Sequence, residues 1–430
     1  MSAQLVLPAS QRKAPGSHDR STALERTLGL VPGLRQRFGI TRIAELSRLD
    51  RMQIPAFAAI VPDSPDLISV YMGKGITRDA AICSAVMEAV ERQSGAAPRV
   101  RTTRRLLADC AKQLDLEALA VLPYAIDAYA DCVDGTDLLS SEFVPVPMAL
   151  VQCPWFGKRI FPSASTNGLA SGNTLTEAIY HALCELIERH VWSLFDVRSH
   201  LVPRFFGNTT ERDGSYAREV AFPTGVADID ATYGRIIASG LEVRALYLEC
   251  GGLPPVMAAC AVEERSDPPM AHLGLGCALS PGLALTRALT ETAQSRMGDI
   301  SAVREDLFRA GDSNAREERL QRSTALPSDC WYYDVPAAAI SLRDIEDAST
   351  LDLAADLQTV LNAVRANGAR QLVAIDLSPD DVPVFVVRLV APGLESYAVD
   401  GRLGPGILEL FNPFHRTKVS RTRAYERTVS

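Results

Sequence analysis

What this 430-residue chain lacks narrows it before anything it contains. No two of its nine cysteines stand in a C-x-x-C pair, and an odd number scattered through apolar segments is no disulfide framework. Such thiols fit a reducing cytoplasm. Histidine is scarce, six in all, with neither H-E-x-x-H nor zinc-finger spacing, which argues against a zinc site. Basic charge is short as well: 44 Lys and Arg against 52 Asp and Glu leave a net charge of −8, whereas a nucleic-acid surface normally needs a basic face. No apolar run approaches the roughly 20 residues that span a bilayer. The N-terminal "MSAQLVLPASQRKAPGSHDRSTA" lacks the basic-then-apolar order of a signal peptide. No G-x-x-x-x-G-K-[ST] occurs, so a P-loop is excluded. With 47% apolar and 22% charged residues, the remainder reads as a cytoplasmic globular protein without nucleic-acid or membrane partners.

The order of elements is that of an α+β (mixed α/β) chain with a sizeable antiparallel part. Residues 1–22 are polar and suggest a mobile N-terminal arm. Residues 23–415 read as one catalytic body, divisible at 23–140, 141–300 and 301–415, and residues 416–430 as a basic C-terminal tail. Apolar spacing near 3.6 predicts a helix over 102–122. "FVPVPMALVQC" and "RIFPSAS" read as strands, and residues 204–224 as a loop. A βαβ-like alternation follows through "IDATYGRIIASG", "LEVRALYLEC" and "PVMAACAVEE". The charged stretch from Arg296 to Ala325 suggests a surface excursion. "LDLAADLQTVLNAVRANGA" is a helix closed by Gly368, with strands "QLVAIDL" and "VPVFVVRLV" after it.

One pattern recurs three times. "GKGITRDAAICSAVMEAVERQSG" (73–95) falls, on a shift of 97, onto "ASGNTLTEAIYHALCELIERHVW" (170–192), and a further shift of 106 reaches "ALSPGLALTRALTETAQSR" (278–296). Each copy opens on a helix-start signal: Thr77, Thr174 with Glu177 in a capping box, and Ser280 before Pro281. Positions i, i+4 and i+7 of a helix share one stripe. That stripe holds Ser84, Glu88 and Glu91 in the first copy, His181, Glu185 and Glu188 in the second, and Arg287, Glu291 and Gln294 in the third. The second copy is otherwise apolar almost all round, which marks a buried helix. Buried carboxylates cost several kcal/mol each unless paired, protonated or bound to a cation. A single E-x-x-E-R is ordinarily a solvated ion pair; an old duplication kept for packing would repeat the alanines but not the charges. Glu88, Glu91, Glu185 and Glu188, with few cationic neighbours, therefore point to a hard metal ion, and all-oxygen ligands favour Mg²⁺. Arg189 and Arg287 beside them extend the set to a polyphosphate. Lys74, in its Gly turn, either reaches a phosphate or is solvated.

These three segments, in this order, resemble the nucleotide-site motifs of the YcaO family, with the resemblance running from about residue 40 to about 415. The resemblance implies a fold of that family's own type, with three repeated helix motifs lining an ATP site beside largely antiparallel sheets. It implies ATP and Mg²⁺ as cofactors and activation, by phosphorylation, of a peptide backbone amide. By motif position, Glu88, Glu91, Glu185 and Glu188 would bind metal and, with Arg287, be catalytic. Lys74, Ser84, Asn173, Arg189, Arg287, Glu291 and Gln294 would hold the nucleotide. The ending "NPFHRTKVSRTRAYERTVS" has one proline rather than the proline-rich tail of many azoline-forming members, and little precedes residue 40. Both features look more like stand-alone members that form thioamides from a sulfide donor with a TfuA-like partner. An azoline-forming cyclodehydratase acting on Cys, Ser or Thr of a precursor peptide is the alternative. A homodimer is the family expectation. Outside the resemblance stand a dinuclear-metal hydrolase, for which only His181 offers a histidine ligand, and a non-catalytic nucleotide-binding scaffold.

Overall fold

The structure is a computed structural model that describes residues 5–161, 165–202, 216–263, 270–302, 335, 337–401 and 403–411. The chain enters through helix α1 (Leu24–Arg37) and an antiparallel three-stranded sheet of β1 (Arg42–Glu45), β2 (Ala56–Ile60) and β3 (Val70–Lys74). Helix α2 (Arg78–Ala96) follows, with the Thr77 hydroxyl accepting from the Ala80 amide at 3.2 Å as its cap. Next come β4 (Thr103–Leu106), β5 (Tyr129–Asp137), β6 (Phe143–Pro147) and β7 (Leu169–Gly172), then helix α3 (Leu175–Asp196), capped by Thr174. β8 (Ala217–Val220), α4 (Ala227–Ala238), β9 (Glu242–Leu248), β10 (Val256–Glu263) and β11 (Met270–Cys277) lead into helix α5 (Pro281–Ala302). β12 (Ala338–Ile340), α6 (Leu353–Ala366), β13 (Val373–Asp376) and β14 (Phe385–Val390) complete the main elements.

Two further sheets form behind the first. One runs β11-β10-β9-β8-β12, antiparallel except where β12 joins β8; the other runs β4-β5-β13-β14-β7, with β6 added on β5. The expected α+β class, with mostly antiparallel pairing, is what the chain adopts. The βαβ-like alternation is not: α4 connects β8 to β9, which pair antiparallel, as do β9 and β10.

Each motif helix is laid on the strand before it through glycine. A Cβ on Gly73 would stand 2.0 Å from the Ala85 amide nitrogen, and one on Gly276 would stand 2.1 Å from the Ala284 carbonyl oxygen. Gly172 meets the Ala178 nitrogen at 2.6 Å in the same sense. The recurring glycines and alanines are thus contact points between backbones, and that is why they repeat along with the charges.

Several local expectations fail for identifiable reasons. The 102–122 segment is not a helix: its start is β4, only Leu107–Cys110 makes a helical turn, and Ala120 takes a positive φ of 56°. Leu107, Leu114, Leu116 and Leu119 are buried, but Asp115 accepts from the Ala118 amide at 2.9 Å and turns the chain instead. "FVPVPMALVQC" is strand only to Pro147 and then a turn of helix, Met148–Val151. The described part of "RIFPSAS" forms no strand. Of the supposed loop 204–224, residues Ala217–Val220 form β8, and 204–215 lie outside the described residues. The "surface excursion" begins as the last turns of α5, where Arg296 and Met297 are buried; residues 303–334 lie outside the described residues, as does the basic tail. The polar N-terminal segment does not stand free. Lys13 pairs with Asp356 in a buried contact, and the Ser21 and Thr22 amides donate to Glu177 at 2.8 and 3.1 Å. Composition undervalued it because it is held by ion pairs rather than by apolar burial. Among the described residues, eight cysteines are buried and none is in a disulfide.

The glycine contacts give a direct expectation. Gly276→Ala forces α5 off β11 and should cost about 2–3 kcal/mol, as overpacking against backbone does. Chemical denaturation of the variant beside wild type measures it, and an unchanged midpoint would refute the close contact.

Candidate active site

α2, α3 and α5 arrive from three different sheets and face one another across an open cleft of about 1740 Å³. Lys74, Ser84, Glu88, Glu91, Asn173, Glu185, Glu188, Arg189, Arg287, Glu291 and Gln294 all line it. The structure therefore gathers every candidate that the sequence nominated, from segments more than two hundred residues apart.

Their partners differ. On α2, Ser84 accepts from the Lys74 amide at 3.3 Å, tying the stripe to β3. Lys74 Nζ pairs with Glu291 across the cleft, which decides between the two readings of that lysine in favour of a cleft-facing one. Arg189 reaches Glu188 at 3.3 Å and Glu291 at 3.9 Å. The Gln294 amide donates to the Met72 carbonyl at 3.2 Å. Asn173 acts as a bracket: its backbone and side-chain N–H groups donate to Glu177, and its side-chain oxygen accepts from the Thr27 hydroxyl at 2.9 Å. Arg287 is engaged by Asp19 and by the Cys277 carbonyl, the latter at 2.6 Å. Arg92, which repeats as Arg189, diverges in role: it turns to Asp66 in a two-pronged pair at 2.8 and 3.1 Å and does not line the cleft.

The carboxylates fall into two electrostatic classes. Burial raises Glu88, against the pull of Arg92 and Lys74. Burial, with Glu88 and Glu185 nearby, holds Glu91 well above the ordinary carboxylate range. Burial pushes Glu185 up to about 8, against Arg189 and helped by Glu188 and Glu88. Glu188 is raised by burial too. For Glu291 burial works the same way, but Lys74 and Arg189 outweigh it and its value falls. Among the described residues Glu88, Glu91 and Glu185 form no ion pair within 4.0 Å. Three acids thus lack the ion-pair partners that Glu291, at the position equivalent to Glu88 and Glu185, possesses, while Glu188 shares Arg189 with it.

That deficit fits a cation. No three His, Cys, Asp or Glu side chains converge as a ready-made cage among the described residues. Mg²⁺ keeps several oxygens from water or phosphate and takes one or two from carboxylates. Glu88, Glu91, Glu185 and Glu188 are the residues that would hold Mg²⁺ from the protein side, one or two to each ion, with Lys74 and Arg189 left for the phosphates. Cys83 and Cys184 line the wall but are buried, and burial lifts the Cys83 thiol to about 11, so both read as packing.

Sequence reading missed several residues here. Asp19 and Arg20, from the polar N-terminal segment, carry no periodic signal. Glu177 was read only as half of a capping box, yet its carboxylate holds Asn173, Ser21 and Thr22. Arg388 could have been found as the lone charge in "VPVFVVRLV": it is buried on β14, donates from Nε to the Leu150 carbonyl at 3.0 Å, and feels Glu185 and Glu91.

Comparison with known proteins agrees with this geometry. The profile of the YcaO family, described as YcaO cyclodehydratase, ATP- and Mg²⁺-binding, matches residues 72–395. An uncharacterized protein of Methanothermobacter thermautotrophicus is 36% identical over 89% of this chain and 97% of its own. An uncharacterized protein from the tfuA 3′ region of Rhizobium leguminosarum bv. trifolii is 34% identical over 88% of this chain and 89% of its own. Among solved structures, YcaO from Methanopyrus kandleri bound with AMPPCP and Mg²⁺ aligns with a TM-score of 0.66 at 22% identity, over 92% of this chain and 98% of that one. A heterocyclase in complex with substrate and cofactor aligns at 0.72 and 19%, over 91% of this chain and 55% of that one. At such identities the structural likeness is one of fold.

The raised acids make stability depend on pH in a definite sense. Glu185 lies above its unfolded value of 4.5, so folding favours its protonated form. That contribution is complete below pH 4.5 and is lost as pH rises through about 8. Metal-free protein should therefore lose melting temperature across this window, and Glu185→Gln should lose less. An identical slope in the variant would contradict the assignment. Saturating Mg²⁺ with ATP should flatten the wild-type slope, because a bound cation favours the ionised form.

Proposed function

The chain belongs to the YcaO family, and from that premise we propose that it uses ATP and Mg²⁺ to activate a backbone amide of a ribosomal peptide or protein. The observation that carries the reading is the set of half-buried, cleft-lining carboxylates Glu88, Glu91 and Glu185, raised by desolvation and without an ion-pair partner, in one cleft with Lys74 and Arg189. Ligand pockets commonly enclose about 300–1,000 Å³; this cleft, at about 1740 Å³, leaves room for a peptide segment beside a nucleotide.

In the proposed reaction a nucleophile adds to the amide carbonyl carbon, and the C=O pair moves onto oxygen. That oxygen takes the γ-phosphoryl group as ADP departs. Phosphate then leaves with the C–O bonding pair, a proton is lost, and the new double bond forms. Phosphorylation converts a poor leaving group into a good one. Mg²⁺ would supply the charge neutralisation that phosphoryl transfer requires. The chain's own part is positional: Lys74 and Arg189 face the phosphates, Ser84 fixes the Lys74 backbone, and Glu291 orients both cations across the cleft.

We favour hydrosulfide as the nucleophile and a thioamide as the product, with a TfuA-like partner, because a relative sharing 34% identity is encoded beside tfuA. Azoline formation by a Cys, Ser or Thr side chain is the second reading, supported by the family's cyclodehydratase description. Residues 23–415 acting as one catalytic unit, within a homodimer, complete the proposal.

Calorimetry with ATP should show binding that depends on Mg²⁺, and the double variant Glu185→Ala, Glu188→Ala should abolish it. Wild-type affinity in that variant would sink the site assignment. Mass spectrometry of a precursor incubated with the enzyme, ATP and sulfide separates the products: oxygen-for-sulfur exchange marks a thioamide, loss of water an azoline. Peptide cleavage without ATP would refute both.

A further inference from the structure

Arg287 differs from Lys74 and Arg189 in that the acid its guanidinium pairs with comes from outside the three motif helices. Its Nη2 donates to Asp19, while Nη1 donates to the Cys277 carbonyl at 2.6 Å. The same Asp19 carboxylate lies 2.9 Å from His181 Nε2, and Arg20 Nε approaches it at 4.0 Å. His181 sits one turn before Glu185 on the cleft-facing stripe, and its Nδ1 meets Arg20 Nη2 at 3.2 Å. A carboxylate ringed by one guanidinium, one imidazole N–H and a second guanidinium occupies the surroundings that suit a phosphate oxygen.

The segment that carries Asp19 is built to move without detaching. Residues 14–20 form a closed loop: the Ala14 amide donates to the Arg20 carbonyl at 2.8 Å, and the Arg20 amide donates to the Ser17 hydroxyl at 2.9 Å. Gly16 takes a φ of +74° at the turn, and Pro15, Gly16 and His18 are exposed. Both ends are clamped to rigid elements. On one side Lys13 pairs with Asp356 and its amide donates to the Leu351 carbonyl at 2.9 Å. On the other, the Ser21 amide and hydroxyl and the Thr22 amide all donate to Glu177. Between these clamps, the polar contacts that hold the loop against the cleft come from Asp19 and Arg20.

We propose that Asp19 is a built-in occupant of the phosphate subsite: it holds Arg287 and His181 until an oxyanion of the nucleotide replaces it, and the 14–20 loop shifts with the exchange. This rests on the reading of the cleft as a nucleotide site. Competition of this kind lowers apparent affinity by the fraction of molecules in which Arg287 is already engaged.

The test uses the full-length protein, titrated calorimetrically with ATP and Mg²⁺ and, separately, with inorganic tripolyphosphate and Mg²⁺. Asp19→Asn should bind both about tenfold more tightly than wild type, since the competing charge is removed while the side-chain shape remains. Hydrogen exchange on the wild type gives an arm independent of any variant: residues 14–20 should exchange faster with nucleotide bound, while 11–13 and 21–22 keep their protection. Unchanged or weaker binding by a folded Asp19→Asn, or a 14–20 loop that exchanges no faster when nucleotide binds, overturns the proposal. Wild type that binds neither ligand overturns the nucleotide reading, and this inference with it; wild type that binds while the variant gains nothing overturns this inference alone.

Discussion

The site depends on backbones in contact. Each motif helix rests on its preceding strand where a glycine leaves no side chain between them, at Gly73 against Ala85, Gly172 against Ala178 and Gly276 against Ala284. Protein interiors do not deform continuously, so a helix seated backbone to backbone has little freedom in depth or rotation. Three such seats fix three stripes of polar side chains, and those stripes define the cleft. The alanines are as necessary as the glutamates, because a larger residue on either side of a seat would lift its helix and withdraw the acids it carries.

Given that placement, the charges arrange themselves by supply. The cleft receives Glu88, Glu91, Glu185, Glu188 and Glu291, but its two nearest cations are shared unequally among them. Lys74 and Arg189 both lean on Glu291 and hold it ionised, whereas the other four acids are left raised by burial. Arg287 is spent on Asp19, and Arg92 on Asp66. A pocket with more carboxylates than its two cations can pair suits a ligand bringing both signs, which describes a metal-bound polyphosphate. Arg388, locked behind Glu91 and Glu185, softens the deficit without removing it.

The site was largely legible in the sequence because its chemistry repeats. Buried acids at helical spacing are improbable once and far more so three times over, and the shift that aligned them also aligned the caps, and Gly75 with Gly172. All the nominated residues do line one cleft. What stayed hidden was whatever does not repeat. Asp19 lies in a polar, proline- and glycine-containing segment whose order comes from contacts with Glu177 and Asp356, residues more than a hundred positions away. The 102–122 error has a different origin: its leucines do face a core, but helical spacing records burial and not the turn at Asp115. The α+β class was readable from strand and helix signals. Strand order was not, since pairings such as β14 with β7 join segments that share no local pattern.

One consequence follows from the helices arriving from different sheets. α2 follows a strand of the three-stranded sheet, α3 a strand of the six-stranded sheet, and α5 a strand of the five-stranded one. No one of these helices, taken with its strand, carries even half of the candidate residues that line the cleft. A ligand held by all three helices therefore acts as a tie across the whole molecule, and its binding energy is shared by every sheet at once. Occupancy would appear as cooperativity: a protein whose parts could loosen separately when empty would, when filled, melt as one.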